Sequence, residues 1–259
     1  MTKPAGQIEL LDRPIADDLV GDRLDALVTR YSKASGPVIS LLNLAGGQAD
    51  GLTRHLPEGI RDNLASGTEQ ALRIAMKVAG NSRGVVGDQP GWLTTTVSTA
   101  MGAVGGFGGL ASAMAELPVT TTVFLHGIQG VAVEHGFDPA EQGVQFDCIN
   151  VLAAAGPLDV DDGADIGFMA TRMVVTGPAL QSLISRVAPR LAVVLGQKLA
   201  AQTVPVLGAV AGAATNYAYA NYYRDMAHVQ FGLRRLAIDA DRDNAELVNA
   251  FRARLESRP

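Results

Sequence analysis

The run Gln89–Ala115, QPGWLTTTVSTAMGAVGGFGGLASAMA, decides how the rest of the chain is read. It contains no Asp, Glu, Lys or Arg, and its centre carries glycine at 102, 105, 106, 108 and 109. Glycines four apart, 102/106 and 105/109, share one face of a helix and admit another backbone at close range. Glu116-Leu117-Pro118 ends the run, and a second uncharged stretch, Val119–Val133, follows. A membrane span needs about 20 predominantly apolar residues. Gln89–Ala115 and a second uncharged run, Leu199–Tyr223, are long enough but weakly apolar. The first carries Thr94, Thr95, Thr96, Ser98, Thr99 and the glycines, and the second Gln202, Thr203, Pro205, Asn216 and Asn221. Gly, Thr and Asn do not favour insertion. The reading is therefore buried helices of a bundle, ahead of reversible attachment to a membrane surface, with true spanning third.

Composition agrees with packed helices. Of 259 residues 47% are apolar, but only 5% are aromatic, and 29 are glycine. The core must be Ala, Val and Leu with small residues at helix contacts. The net charge of −5 and the absence of a Lys/Arg cluster exclude a nucleic-acid partner as the expectation. Cys148 is the single cysteine, has apolar neighbours and reads as a buried, inert thiol. Residues 1–18 lack the apolar core of a signal peptide. The expected location is cytoplasmic, or peripheral to the inner membrane.

Residues 1–14, with Pro4, Gly6 and Pro14, read as a flexible arm, and 15–259 as one helical domain. Helix is expected from Ala16 to the break at Ser35-Gly36-Pro37, with Leu19, Leu24, Leu27, Val28 and Tyr31 on its apolar face. A second covers Pro57–Val78, loosened at Gly67, and a third Pro118 to Glu134, where His135-Gly136-Phe137 turns. Asp138-Pro139-Ala140-Glu141 reads as the start of a helix running to Ala155. Helices over 166–176 and 179–199 follow, then one opened by Pro205 and one over 243–256. Tyr222, Met226, Val229, Leu233 and Leu236 recur at steps of four and three. No sustained alternating strand pattern occurs. The fold class is all-α: a single multi-helix bundle with glycine-rich, closely packed central helices.

Several stretches together resemble the EcsC family of bacterial proteins over roughly 57–236: Gly102-Ala-Val-Gly-Gly-Phe-Gly-Gly-Leu, Glu116-Leu-Pro118, Glu134-His-Gly136-Phe-Asp138-Pro, Val151-Leu-Ala-Ala-Ala-Gly156, and Val204-Pro-Val-Leu-Gly208-Ala-Val-Ala-Gly212 leading to Asn216. The match lies in their order and spacing. The resemblance implies a helical, intracellular or membrane-associated protein and brings no catalytic residue or cofactor.

The residues supply no reaction either. Gly106-Phe-Gly108-Gly-Leu-Ala111 loosely fits a dinucleotide string, but helix-like sequence precedes it where a strand is required, and there is no GxxxxGK[ST]. His126, Glu134, His135 and Asp138 lack HExxH spacing and read as ordinary polar residues, so no metal is assigned. The acidic link 158–165 fails the calcium-loop pattern. Glu116 is the only formal charge between Gln89 and Val133. It reads first as an exposed helix end, and otherwise as a polar anchor in an apolar groove. Four of the five tyrosines fall in Asn216–Tyr223, where an apolar body and polar tip suit an interface. The expected function is non-enzymatic: lipid binding or peripheral association with the cytoplasmic membrane face. The alternatives are a scaffold or accessory protein of a membrane transport complex, and a hydrolase with an unrecognised site. The ligand seam is drawn along Gly102, Gly105, Gly106, Gly109, Glu116, His126, Gly208, Gly212, Asn216 and Tyr219, with no cofactor.

Overall fold

A computed structural model describes residues 14–34, 58–82, 109–153, 177–202 and 208–258. Among these residues the chain forms seven helices and no strand: α1 (Asp17–Ala34), α2 (Glu58–Ser82), α3 (Gly109–Glu134), α4 (Gln142–Ala153), α5 (Gly177–Gln202), α6 (Gly208–Asp239) and α7 (Asn244–Glu256). The protein is an all-α bundle. Residues 1–13 of the arm expected over 1–14, the helix expected over 166–176 and the glycines at 102, 105, 106 and 108 lie outside the described residues.

α6 is the hub. Its 32 residues span about 48 Å. Along it Tyr222, Met226, Val229, Leu233 and Leu236 are buried as the stripe requires. So are Tyr219, Tyr223, Ala227 and Phe231, which widen the apolar surface well beyond one stripe. A helix apolar on several faces must be covered on several faces. α1, α3, α4, α5 and α7 all pack against it. α2 lies outside this ring, against α3 and α5. It runs unbroken through Gly67 and continues past Val78 to Ser82.

α3 starts nine residues earlier than expected, at Gly109 rather than Pro118. Proline lacks an amide hydrogen and usually ends a helix, but here α3 continues through it. Glu116 therefore lies within a helix, not at a helix end. α5 passes through Pro189 in the same way. α4 also corrects the reading. Asp138 does not cap it: the Asp138 carboxylate accepts from the Ala140 amide at 2.8 Å, closing a tight turn, and the helix begins at Gln142. On α1 the apolar face is Val20, Leu24, Val28 and Tyr31, while Leu19 is 44% exposed.

Other helix ends follow local chemistry. Gly136 takes φ 82°. Around it Phe137 donates to the Ala132 carbonyl at 2.9 Å and Gly136 to Val133 at 2.8 Å, a Schellman stop for α3. The same pattern ends α6, with Asp241 at φ 50° and the Arg242 amide bonded to the Ala237 carbonyl. Asp243 caps α7 by accepting from the Ala245 amide at 2.7 Å.

α1 is clasped by the C-terminal elements. The Ile15 amide donates to the Asp239 carbonyl, Arg242 pairs with Asp17, Arg254 with Asp25, and Tyr31 meets Phe251 edge-on at 5.7 Å. The ion pairs are partly exposed and contribute at most about 1 kcal/mol each, so apolar burial dominates. At the middle of the contact a Cβ on Gly232 would stand 2.7 Å from Leu27 Cδ2. A β-branched residue there forces two methyl groups into Leu27, whereas Gly130 has nothing within 4 Å of its Cβ position. Gly232→Val is expected to cost about 1–3 kcal/mol, and Gly130→Ala to gain roughly 0.5–1 kcal/mol from helix propensity. Chemical denaturation of the two variants checks the opposite signs.

Candidate functional site

Two helical stripes of the same spacing meet where α1 crosses α6. Arg23, Leu27 and Arg30 stand at steps of four and three on α1; His228, Gly232 and Arg235 do so on α6. Such residues share a helix face. The helices run antiparallel, since Arg23 reaches Asp239 at 2.7 Å and Arg30 reaches Asp225 at 3.1 Å. Leu27 seats on Gly232 at the centre, so the long cationic side chains are held around it. His135 enters from the turn that Gly136 makes possible. Together these residues and Ala26 line an open cavity of about 330 Å³.

The cavity has a polar floor and a cationic rim. On the floor His135 Nε2 lies 3.2 Å from His228 Nδ1. The Glu134 carboxylate is 3.7 Å from His228 Nε2. A carboxylate there favours the proton on His228 Nε2, which leaves Nδ1 to accept from His135 Nε2–H. At the rim Asp239 sits between Arg23 and Arg235, at 2.7 and 2.8 Å, and holds the two guanidinium groups together. Burial lifts the Asp225 carboxyl above its ordinary range, and Arg30 beside it pulls in the opposite direction.

Both imidazoles are held neutral. Burial, with Arg30, His135 and Arg224 adding to it, pushes His228 down from 6.5 to about 3. Burial lowers His135 as well; Glu134 opposes the shift, and Arg30 and Arg235 reinforce it. Among the described residues no group of three or more His, Cys, Asp or Glu is placed to hold a metal ion.

The residues proposed from sequence are distributed differently. Gly102, Gly105 and Gly106 lie outside the described residues. Gly109 and Glu116 fall in the first half of α3, and Gly208 and Gly212 in the first turns of α6. His126 is half-buried on α3, and Asn216 and Tyr219 are buried on α6. α3 and α6 pack together, with Phe124 and Tyr223 rings 5.3 Å apart, so the helices bearing the expected seam meet. Of the seam residues whose surroundings are described, His126, Asn216 and Tyr219 do not line the cavity. The cavity residues were legible only as stripes on α1 and α6, and no spacing rule links His135 to a histidine 93 positions away. Cys148 is buried, as expected.

The architecture defines a class: a helical bundle organised around one long, widely buried helix. The chain belongs to the EcsC protein family, whose model matches residues 91–236, more than half of the 259. The match ends where the resemblance ends but starts at 91 rather than 57. Arg23 and Arg30 thus lie outside the matched region, while His135, His228 and Arg235 lie inside it. No match was found among curated proteins or among solved structures.

The neutral histidines set an acid limit. Below about pH 6.5 the unfolded chain takes up a proton at His228, and the folded protein does not until about pH 3. The contribution is complete above pH 6.5 and is lost as pH falls through that window. The melting temperature should fall between pH 7 and 5, and His228→Asn should flatten that slope. Thermal melts across the pH series check this by the difference between wild type and variant.

Proposed function

We propose that this EcsC-family protein is a non-enzymatic helical protein that binds lipid and associates peripherally with the cytoplasmic face of a membrane. The observation that carries this reading is the segregation of charge along its central helices. In α6 residues 208–223 include no charged side chain, whereas 224–239 hold Arg224, Asp225, Arg234, Arg235 and Asp239. α3 follows α6 in the same direction: Phe124 meets Tyr223, His135 meets His228 and Phe137 meets Phe231. Its charges are only Glu116 and Glu134. The two helices therefore begin at one end, along which Glu116 is the only charged side chain.

That end also exposes apolar surface. Val119 on α3 and Tyr217 on α6 are each 45% exposed. The segment leading into α3, 89–115, is uncharged. Tyrosine suits a bilayer interface because its ring is apolar and its hydroxyl polar. Among the described residues no helix is long and apolar enough to cross a membrane. Attachment by partial burial of an apolar face is the mode that such an arrangement supports.

Flotation with liposomes tests the proposal. The protein should rise with the vesicles. Val119→Asp and Tyr217→Asp, each placing a charge on this exposed apolar surface, should reduce the floated fraction several-fold with helical content unchanged. Protein that remains at the bottom of the gradient at every lipid composition sinks the reading.

A further inference from the structure

We infer that the cavity between α1, α6 and the His135 turn is a second binding site, for a small soluble oxyanion of the phosphate-monoester class. It is separate from the lipid reading in place and in chemistry. Tyr217 precedes His228 by 11 residues, about 16 Å along the helix axis. A bilayer resting on the end that carries Val119 and Tyr217 does not reach the cavity.

The donor set fits an oxyanion. Arg23, Arg30 and Arg235 converge on the cavity from two helices, and two imidazoles form its floor. A guanidinium carries five donors in a rigid fork, matched to phosphate geometry. Asp239 takes Nη1 of Arg23 and Nε of Arg235, and Asp225 takes Nη1 of Arg30. Each arginine keeps further N–H groups for a ligand, and the acids fix where these arginines stand. Their side chains remain 42–47% exposed, so entry needs no rearrangement. At about 330 Å³ the space is at the small end of ligand cavities, enough for a phosphate with a short organic group. Ala26 and Leu27 supply an apolar wall for that group.

The floor couples binding to protons. The ionisable groups facing the histidines are Arg23 and Arg30 from α1, Glu134 from α3, and Arg224, Asp225, Arg235 and Asp239 from α6. Four guanidinium groups outnumber three carboxylates, and this surplus, with burial, keeps the imidazoles uncharged. A bound dianion reverses the local field and favours imidazolium, which then donates to it. Ligand and proton enter together, so affinity for the dianion rises as pH falls.

Isothermal titration of the full chain, in the absence of lipid, with inorganic phosphate and with pyrophosphate at pH 7.5 and pH 6 tests this. Saturable binding at one site is expected, tighter at pH 6 when affinity is expressed per dianion present at each pH, with net proton uptake by the protein on binding. Arg235→Gln should weaken it at least tenfold, and Arg23→Gln serves the same purpose if the first variant fails to fold by circular dichroism. His228→Asn should retain weaker binding and lose most of the pH dependence. Arg73→Gln, on α2 away from the cavity, should bind as wild type does. The inference is overturned if neither anion binds at either pH, if binding survives both rim substitutions, or if Arg73→Gln weakens it equally. Capture of phosphatidic-acid vesicles without binding of free phosphate or pyrophosphate also overturns it. Failure of liposome flotation leaves this site untouched, and failure of phosphate binding leaves the lipid reading untouched.

Discussion

The structure depends on the burial of α6. A helix with one apolar stripe is satisfied by a single neighbour. α6 buries residues on several faces, from Tyr219 and Tyr223 through Phe231 to Leu236. Five helices answer that demand. The heavy use of small residues follows from the same constraint: when many helices crowd one, some must approach closely, as α1 does at Gly232. Burial of apolar area is the dominant favourable quantity, and the exposed ion pairs around α1 mainly fix its register.

Much of this was legible in the sequence. Steps of four and three mark the buried side of α6, and the signals at Ser35-Gly36-Pro37, His135-Gly136 and Asp243 place helix ends near where they occur. These are local effects, set by backbone sterics and nearby side-chain bonds. The failures occur where local signals compete with packing or with each other. Proline at 118 argues for a helix start, but contact with α2 and α6 carries α3 through it. Asp138 has the chemistry of a cap, yet its carboxylate is used one step earlier, in the turn. Leu19 fits the apolar periodicity of α1 only approximately, and Val20 takes the buried position.

The cavity was harder to see for a geometric reason. Its residues come from three places in the chain, and its histidines meet through tertiary contact alone. Charged residues on a helix ordinarily form its solvated face, and Arg23 and Arg30 on α1 alone carry no other signal. Their meaning changes once another helix brings His228 and Arg235 opposite them. The seam expected along the glycine-rich run rests instead on composition. A close glycine approach is made at Gly232, in a stretch with few small neighbours. Composition locates where helices can crowd; it does not identify the position at which one side chain enters another helix's gap.

The clasp on α1 bears on how the protein is made. α1 is complete at Ala34, but its covering surface on α6 and α7 extends from Asp225 to Phe251. At translation rates of about 5–20 residues per second, roughly 200 residues must be added before that surface emerges, an interval on the order of 10–40 s. During it Val20, Leu24 and Val28 have no native partner in α6 or α7. A nascent chain of this kind presents an apolar helix to whatever lies near the ribosome, whether chaperone, neighbouring chain or bilayer. The cationic cavity forms only once α6 has been made, because its two walls lie roughly 200 residues apart in the chain.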